Sequence, residues 1–574
     1  MENINVNKVS DKYFIDKNYR QYMVLYKGDI KSELESIEGI YVYLIDNRYA
    51  LVSAINTIDL DLIYTKFNSI INVFYPELFT LQDIKLMPEY KENIIRIESP
   101  IELSGEGTVV TIIGTGIDYL SNVFIDENGK SRIEFIWDQT IPSNGKKQEI
   151  EVPYGSVYTN EMINNALDSF KNGGNPYEIV PSKDLDGHGT GLAAIVGGED
   201  KKINFTGIAN KCKFIVIKLR EAEQFKIEYG IDIPIYNLPT VYIALKFIYD
   251  YKLIYNKPIV VLFPLGTNSG NHKGNGVLEE FIESIAISIG IVIVSGTGNE
   301  GANGGHASGI INEVGGKKVI QLDVDEKQKF LSVEIWVDLP NFMTLEVISP
   351  SGESTGLIPS LKNYSSIYKY VLEDTKIEIM YFIPEITSGD ELIRVVFYDL
   401  IPGIWQFRLT GDLIMDGTFD AWLPQKGITL GNTRFSPFDP YNTITNPANS
   451  RYLITVAAYN ERNNNIVNFS GVASLTDYID RVDVAAAGVN VLTIAPNNKI
   501  AIVSGTAVSA AIVAGVCALL FEWGIVKGNN PYLFGQTLKS YLDRGTYERK
   551  GDIYPNPQWG YGILDIAAIF RNMM

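Results

Sequence analysis

Two kinds of hydrophobic pattern alternate along much of the chain. Short runs of consecutive apolar residues, such as VVTIIG, KFIVIKL, PIVVLF and GIVIVSG, are typical of strands buried on both faces. Longer stretches with helical spacing, such as VYIALKFIYDYKLI and GVLEEFIESIAISIG, separate these runs. Strands of this type alternating with helices predict an α/β fold, a doubly wound parallel sheet covered by helices.

A different pattern interrupts this one between residues 322 and 424. FLSVEIWVDL, FMTLEVISPSG, IEIMYFIP, LIRVVFYDL and GIWQFRLTGDL are short, aromatic-rich stretches with alternating polarity and no convincing helix between them. Such stretches predict an all-β sandwich or jelly roll. We therefore expect a jelly-roll insertion at 322–424 that divides the α/β core into residues 96–321 and 425–574.

The first 95 residues form a separate N-terminal unit and connector. QYMVLYKG, IYVYLIDNRYALVSAI and INVFY predict strands, and DIKSELESIEG and DLDLIYTKFNSI predict the two helices between them. This β-α-β-β-α-β order is the split βαβ arrangement, an α+β fold. An extended tail, PELFTLQ, follows it.

The composition and charge of the chain argue against several classes of protein. The net charge of −19 over 574 residues argues against a nucleic-acid-binding protein, which normally carries a basic face. We find no signal peptide and no apolar run near the ~18 residues that span a bilayer, so we expect a soluble protein without a transmembrane segment. Cys212 and Cys517 lie in apolar runs and are expected to be buried free thiols. No spacing of acidic residues indicates a calcium loop, and we expect no cofactor and no metal.

Four motifs occur in one order along the core: VVTIIGTGID, DLDGHGTGLAAIVGG, VIVSGTGNEG and VSGTAVSAAIVAG. In these motifs the chain resembles the subtilases, the subtilisin-like serine proteases, over nearly its whole length. The resemblance implies that Gly114 stands at the position of the triad aspartate and His188 at that of the triad histidine. It places Asn299 at the oxyanion donor and Ala507 at the nucleophile.

Two of the three triad side chains are therefore replaced by residues without a functional group. An imidazole that has no carboxylate to orient it and no hydroxyl to deprotonate has no proton-transfer task. We expect His188 to be retained for packing or hydrogen bonding, and Asn299 to satisfy backbone groups of its own turn. The resemblance thus implies a pseudoprotease, not an enzyme.

Neighbouring residues are not expected to compensate. Ser504 and Ser509 flank Ala507 but project from other points of the turn and helix. Many subtilases carry an aspartate at the position of Asp118 in addition to their triad aspartate, so Asp118 is not a replacement for it. Asp184 and Asp186 could pair with His188, although we expect them to face solvent.

The chain is further similar to the Csp germination proteases of spore-forming anaerobes. The features that carry this similarity are the split βαβ unit, the β insertion, GIWQFRLTG, ITNPANSRYLITVAAYN and Ala511 in place of proline. In that family an active member cleaves the proform of a spore-cortex hydrolase, and inactive members sense or transmit germinant signals. The resemblance implies a location in the bacterial spore and other Csp proteins as partners, with a small-molecule germinant as a further possible ligand. Family pseudoproteases are also made within longer fused polypeptides.

The resemblance makes the N-terminal unit a prodomain, which an inactive chain is expected to keep attached. We expect its tail to lie through the substrate cleft, against the strand edge VVLFPLGTNSG. The plug segment, as we call the residues expected to fill the cleft, consists of Leu78, Phe79, Thr80, Leu81 and Gln82.

Two other functions remain open at this point. One is a cryptic or weak serine protease with another nucleophile. The other is a glycan-binding module in the insertion, where Trp336, Trp405 and Trp422 fall. Aromatic residues of a β-sandwich belong to its core far more often than to a sugar platform.

Overall fold

The computed structural model describes residues 13–88, 101–143 and 149–573. Residues 1–12 and 89–95 of the predicted N-terminal unit and connector lie outside this part of the chain. The described part of the unit has the predicted split βαβ order, with a hydrophobic core between one face of its sheet and its two short helices. Its elements are β1 (Tyr19–Tyr26), α1 (Ile30–Leu34), β2 (Ile40–Leu44), β3 (Tyr49–Ile55), α2 (Leu60–Ile63) and β4 (Ile70–Val73).

These four strands form an antiparallel sheet in the order β2-β3-β1-β4. The other face of the sheet, with Met23 and Leu51, joins the main hydrophobic core of the molecule. Beyond the sheet the tail is extended, as predicted. It forms two further strands, β5 (Leu78–Leu81) and β6 (Asp83–Pro88).

The first part of the core alternates strands and helices as predicted. Its central strands are parallel because each is followed by a crossover that covers a face of the sheet. The strands are β7 (Val109–Gly114), β8 (Ile133–Asp138), β9 (Ser156–Thr159), β10 (Glu199–Asp200), β11 (Phe205–Thr206), β12 (Lys213–Lys218), β13 (Ile235–Asn237), β14 (Ile259–Leu262), β15 (Leu265–Gly266) and β16 (Ile291–Gly296). The helices are α3 (Asn160–Lys171), α4 (His188–Gly197), α5 (Glu223–Tyr229), α6 (Leu238–Tyr255) and α7 (Val277–Ala286).

The insertion consists of two antiparallel sheets around their own hydrophobic core. Its strands start at His306 and end at Phe435, so the predicted limits of 322 and 424 fall inside it. The strands are β17 (His306–Ile310), β18 (Lys317–Val324), β19 (Leu331–Val337), β20 (Phe342–Ile348), β21 (Tyr364–Lys369), β22 (Lys376–Phe382), β23 (Glu391–Tyr398), β24 (Gly403–Leu413), β25 (Thr418–Trp422) and β26 (Arg434–Phe435). The six-stranded sheet has the order β17-β25-β19-β23-β22-β21 and the four-stranded sheet β20-β24-β18-β26; a jelly-roll topology stays a prediction.

The second part of the core completes the large sheet. The elements are β27 (Ile454–Asn460), β28 (Asn465–Ile466), β29 (Val484–Ala487), β30 (Val491–Ala495), β31 (Lys499–Gly505), α8 (Thr506–Phe521), α9 (Gly535–Arg544), β32 (Thr546–Tyr547), β33 (Ile563–Leu564) and α10 (Ile566–Arg571). The path of the large sheet is β32-β33-β29-β27-β16-β14-β7-β12-β8-β9, parallel from β33 to β8.

Helix α8 is apolar all round and lies against the large sheet, buried along its length. With the turn that continues it to Val526, it is long and apolar enough to cross a membrane by length and composition. The expectation that no run reaches this length was therefore wrong. Small residues such as Gly and Ala let the helix pack closely, and a fully buried core helix has the same apolar composition.

Candidate functional site

Gly114 and His188 meet where strand β7 ends and helix α4 begins. A Cβ atom at Gly114 would lie 3.8 Å from Nδ1 of His188, the distance at which a longer acidic side chain would reach the imidazole. Gly114 has a φ of +148°, which L side chains rarely adopt. His188 is 2% exposed, and burial lowers the pKa of its imidazole to about 3. The imidazole is therefore neutral at physiological pH.

Asp184 and Asp186 bind the backbone at the start of helix α4. Asp184 is buried, contrary to our expectation, and accepts hydrogen bonds from the N–H of Gly187 at 2.8 Å and of Thr190 at 2.9 Å. Asp186 accepts from the backbone N–H of His188 at 3.2 Å. Both carboxylates therefore satisfy helix N–H groups that have no partner within the helix.

Asn299 and Ala507 lie at the start of helix α8. Oδ1 of Asn299 accepts hydrogen bonds from the N–H and the Oγ1 of Thr506, both at 3.1 Å. The N–H of Ala507 donates at 3.2 Å to the carbonyl oxygen of Gln82, the last residue of the plug segment. The first turn of helix α8 thus binds a backbone carbonyl of the plug segment.

The nearby hydroxyl and carboxylate groups have other partners. Oγ of Ser509 donates to the carbonyls of Ala486 and Ala487, at 3.0 and 3.2 Å. Oγ of Ser504 accepts from a backbone N–H at 2.9 Å. Asp118 accepts from two backbone N–H groups of neighbouring turns. The hydrogen bonds of Ser504, Ser509 and Asp118 given above go to backbone groups, and none of them goes to the His188 imidazole or to Gln82.

The plug segment lies in the cleft as the middle strand of three. β5 pairs antiparallel with β15 on one side, which is the strand edge expected from the sequence. On its other side it pairs with β13, where Thr80 lies opposite Ile235 and Leu78 opposite Asn237. Sequence analysis missed β13, because a three-residue strand shows no period of its own. Beyond Gln82 the chain continues as β6, paired with β31.

A small pocket binds the side chain of Gln82. Its Nε2 donates to the carbonyl of Gly296 at 3.1 Å and to Oγ1 of Thr445 at 3.2 Å, while Oε1 accepts from the N–H of Gly296 at 3.2 Å. Gly266 must be glycine here, because a Cβ would lie 2.3 Å from Thr445 Oγ1. The pocket therefore matches a carboxamide with hydrogen bonds in both directions. Thr445 lies in the stretch ITNPANSRYLITVAAYN, but nothing in that stretch indicated a contact with Gln82.

Gln425, in the insertion between β25 and β26, also holds the plug segment. Its Nε2 donates to the carbonyls of Leu78 at 2.7 Å and Gly266 at 3.1 Å. Its Oε1 accepts from the N–H of Asn268 at 3.2 Å. A side chain that bridges a bound strand to the adjoining strand edge fixes their register. Sequence analysis did not single out Gln425.

The aromatic residues considered for glycan binding are core residues. Trp336, Trp405 and Trp422 are 5%, 0% and 2% exposed, so none presents a ring face to solvent. Cys212 and Cys517 are buried free thiols, and burial raises the pKa of Cys212 to about 12. Within the described ranges, no three His, Cys, Asp or Glu side chains are arranged to hold a metal ion.

Comparison with known proteins agrees with this architecture. The subtilase family model matches residues 105–309 and 428–562. The solved structure of the CspB protease from Clostridium perfringens is similar, with a TM-score of 0.72 and 32% identity, over 82% of this chain and 95% of that chain. EpiP, the epidermin leader peptide processing serine protease of Staphylococcus aureus, is 13% identical with a TM-score of 0.45, over 97% and 99%.

No curated protein sequence matches the chain. The gap in the family match, between residues 309 and 428, corresponds to the β insertion. The match covers more than half of the chain, and the CspB protease is 32% identical over 82% of it. The family match and the similarity to the CspB protease together show that the chain belongs to the subtilase family and, among the subtilases, to the Csp group.

Proposed function

We propose that this protein is a pseudoprotease that regulates bacterial spore germination through protein contacts. The observation that carries the proposal is the hydrogen bond from the Ala507 N–H to the Gln82 carbonyl. The bond presents the Gln82–Asp83 peptide to a position where the side chain is a methyl group. A peptide bound in this way has no nucleophile to attack it.

The surroundings of His188 support the same proposal. A general base needs a group that orients it and a proton to take, and a glycine and an alanine stand at those two positions. The neutral, buried imidazole next to the Gly114 backbone can still fill space and hold the turn. The hydrogen bonds of Ser504 and Ser509 within the fold speak against a cryptic protease using either serine.

The regulatory part of the proposal concerns partners. An attached plug segment leaves the cleft occupied, so contacts to other Csp proteins are expected on the outer surface of the protein. We propose that it acts upstream of the active Csp protease that processes the cortex hydrolase, with a germinant as a possible small-molecule input. The buried tryptophans give no support to a glycan-binding role through their rings.

The intact mass of the purified chain tests the inactivity. A single species near 64.0 kDa is expected, together with no labelling by a fluorophosphonate that marks active serine hydrolases. Subtilisin labelled in parallel is the positive control. Cleavage after Gln82 that disappears in the His188→Ala variant would show surviving catalysis and overturn the proposal. Adding the protein to an active Csp protease and its substrate then tests regulation, as a changed rate of processing.

A further inference from the structure

Strand β21 is an outer strand of the six-stranded sheet of the insertion, and β22 is its one described neighbour in that sheet. The two strands pair without a register shift over all six residues of β21. The N–H of Tyr370, just past β21, donates to the carbonyl of Thr375, so the even-numbered residues of β21 direct their peptide groups to β22. The N–H and carbonyl groups of Ser365, Ile367 and Lys369 therefore point away from the sheet.

The other outer strands of the insertion are covered or short. β20 exchanges two backbone hydrogen bonds with Ile358, and Val347 of the same strand accepts from the N–H of Thr355. On β17, the carbonyl of His306 accepts from the N–H of Asp439 at 2.9 Å. β26 has only two residues. Among the described residues, no hydrogen bond from another element reaches the outward backbone groups of β21. An edge of this kind can add a strand from another chain.

Exposed apolar side chains lie along the same edge. Ile367, in the middle of β21, is 66% exposed, and Val371 and Leu372, just past its end, are 83% and 73% exposed. The carboxylate of Glu353 accepts from the N–H groups of Val371 at 2.9 Å and of Leu372 at 3.2 Å, so the turn that carries both residues is fixed. Exposed apolar residues grouped in this way are typical of protein interfaces. We call β21 together with Val371 and Leu372 the edge surface.

The inner face of β21 also has uncovered apolar groups. The side chains of Tyr364 and Tyr368 pack against the hydrophobic core between the two sheets of the insertion but are only partly buried. Side chains of neighbouring strands on one face lie about 5 Å apart, so a strand added to β21 would cover both rings further. The edge surface therefore offers apolar contacts on both faces of the sheet.

We propose that the edge surface is the interface of a homodimer, in which β21 pairs antiparallel with β21 of a second copy about a two-fold axis at Ile367. In this register, the outward groups of Ser365, Ile367 and Lys369 pair with those of Lys369, Ile367 and Ser365 of the second copy. About six backbone hydrogen bonds form in this way, and the two sheets become one continuous sheet. The dimer requires no particular state of the cleft, so it goes beyond the proposed function.

The charges beside the edge favour a second copy over an unrelated strand. Within one chain, Lys369 lies opposite Lys376 on β22 and pairs with the exposed Asp374 at 3.0 Å. In the two-fold register, Lys369 lies opposite Ser365 of the second copy, whose hydroxyl donates to Glu378 at 3.3 Å. Each Lys369 thus comes within reach of Glu378 of the other copy. Opposite charges on neighbouring strands stabilise their pairing, and the two-fold axis gives this contact twice.

Sedimentation equilibrium of the purified full chain tests the dimer. Over about 1–100 μM, the range of a weak to moderate interface, the mass should rise from 64.0 kDa towards twice that value. Hydrogen–deuterium exchange of residues 364–372 should slow over the same range, because the outward N–H groups of β21 are bonded only in the dimer. Strand β12, at the centre of the large sheet, should exchange at an unchanged rate. A monomer at every concentration would overturn the proposal.

Two variants of Ile367 locate the interface. Ile367→Lys places like charges next to each other at the two-fold axis and should weaken dimerisation at least about tenfold. Ile367→Pro removes an N–H that has no role in the pairing with β22 and should weaken the dimer as well. The matched control is Ile404→Lys, at an isoleucine 52% exposed on β24 of the other sheet, which should dimerise like the wild type. A dimer that survives both Ile367 variants, or that Ile404→Lys also abolishes, would refute the edge surface as its interface.

A charge exchange distinguishes a second copy from any other strand. Lys369→Glu and Glu378→Lys should each weaken the dimer several-fold, because each variant brings like charges together in the two-fold register. The double variant restores the pair with its signs reversed and should recover most of the wild-type affinity. Weakening in both single variants without recovery in the double variant would refute this register. A chain that stays monomeric but binds another protein through β21 would refute the second copy as the occupant.

Discussion

The N–H of Ala507 donates a hydrogen bond to the carbonyl oxygen of Gln82 at 3.2 Å. This contact places the peptide bond between Gln82 and Asp83 where a nucleophile at residue 507 would attack it. The carboxamide of the same residue is held in the pocket formed with Gly296 and Thr445. Under the proposed function, the chain binds its own tail in the manner of a substrate.

Restoring the two missing groups should restore cleavage at this bond. In the Gly114→Asp, Ala507→Ser double variant, we expect self-cleavage after Gln82, measured as two fragments by intact mass. The Ala507→Ser single variant should be about 10⁴-fold slower, because the aspartate that orients the histidine contributes a factor of that order. The positive φ of Gly114 will slow the double variant, since an aspartate there costs roughly 1–3 kcal/mol.

A third substitution serves as the control for this experiment. Adding His188→Ala to the double variant should abolish cleavage while leaving the plug segment in place. Cleavage at another bond, or cleavage that persists without His188, would show that the Gln82 peptide is not at the point of attack.

Removing the Gln82 carboxamide should destabilise the protein. Gln82→Ala leaves the N–H and carbonyl of Gly296 and the hydroxyl of Thr445 without their partner in a buried pocket. We expect a loss of about 2–3 kcal/mol in the free energy of unfolding, measured by urea denaturation. Gln558→Ala, at an exposed glutamine, should change it by less than about 0.5 kcal/mol.

Two arginine–glutamate pairs of the insertion should differ in their effect on stability. Arg394 and Glu334 lie opposite each other on neighbouring strands, 2.9 Å apart and buried, with the guanidinium 3.7 Å from the ring of Tyr75, the residue before the tail. Arg394→Met should cost about 3–5 kcal/mol, because Glu334 is left as an unpaired buried charge. Thermal unfolding measures the difference.

The matched variant is Arg408→Met. Arg408 pairs with Glu346 in the same cross-strand geometry and also at 2.9 Å, but its side chain is 34% exposed. An exposed pair contributes about 0–1 kcal/mol, so this variant should be nearly neutral. Equal losses in the two variants would contradict the role of burial.

The stability of the protein should depend on pH through His188. Its pKa is about 3 in the folded protein and near 6.5 when unfolded, so only the unfolded state binds a proton between these values. Stability from this residue is therefore complete above pH 6.5 and is lost as the pH falls. Relative to His188→Asn, the wild type should lose about 2 kcal/mol between pH 7.5 and 5.0 in urea denaturation. An unchanged difference would mean that the imidazole is hydrated in the folded state.

The elements with a strong pattern were predictable from the sequence. Runs such as VVTIIG and GIVIVSG became β7 and β16, because a strand buried on both faces needs apolar residues at every position. The order of the split βαβ unit and the extended tail followed from the same reasoning. β13 and the start of the insertion at His306 did not, since IYN and HASGI are too short or too mixed to show a period.

Some residues of the candidate site were also predictable from the sequence, and others were not. Gly114, His188, Asn299 and Ala507 were located by motifs that are local in sequence. The pocket for Gln82 was not, because Thr445 lies 363 residues further along the chain and its contact depends on the whole fold. Gln425 likewise has no local signature, and only the pairing of β5 with β15 brings it to the tail.

A ligand tethered to its own binding site competes with every free ligand. Tethering by a short connection gives an effective concentration in the millimolar range, before any pre-ordering of the plug segment is counted. If the plug segment binds the empty cleft with micromolar intrinsic affinity, any partner peptide would therefore bind the intact protein about a thousandfold more weakly than the empty cleft. Access to this cleft is governed by whatever displaces residues 78–82, and much less by the concentration of the incoming peptide.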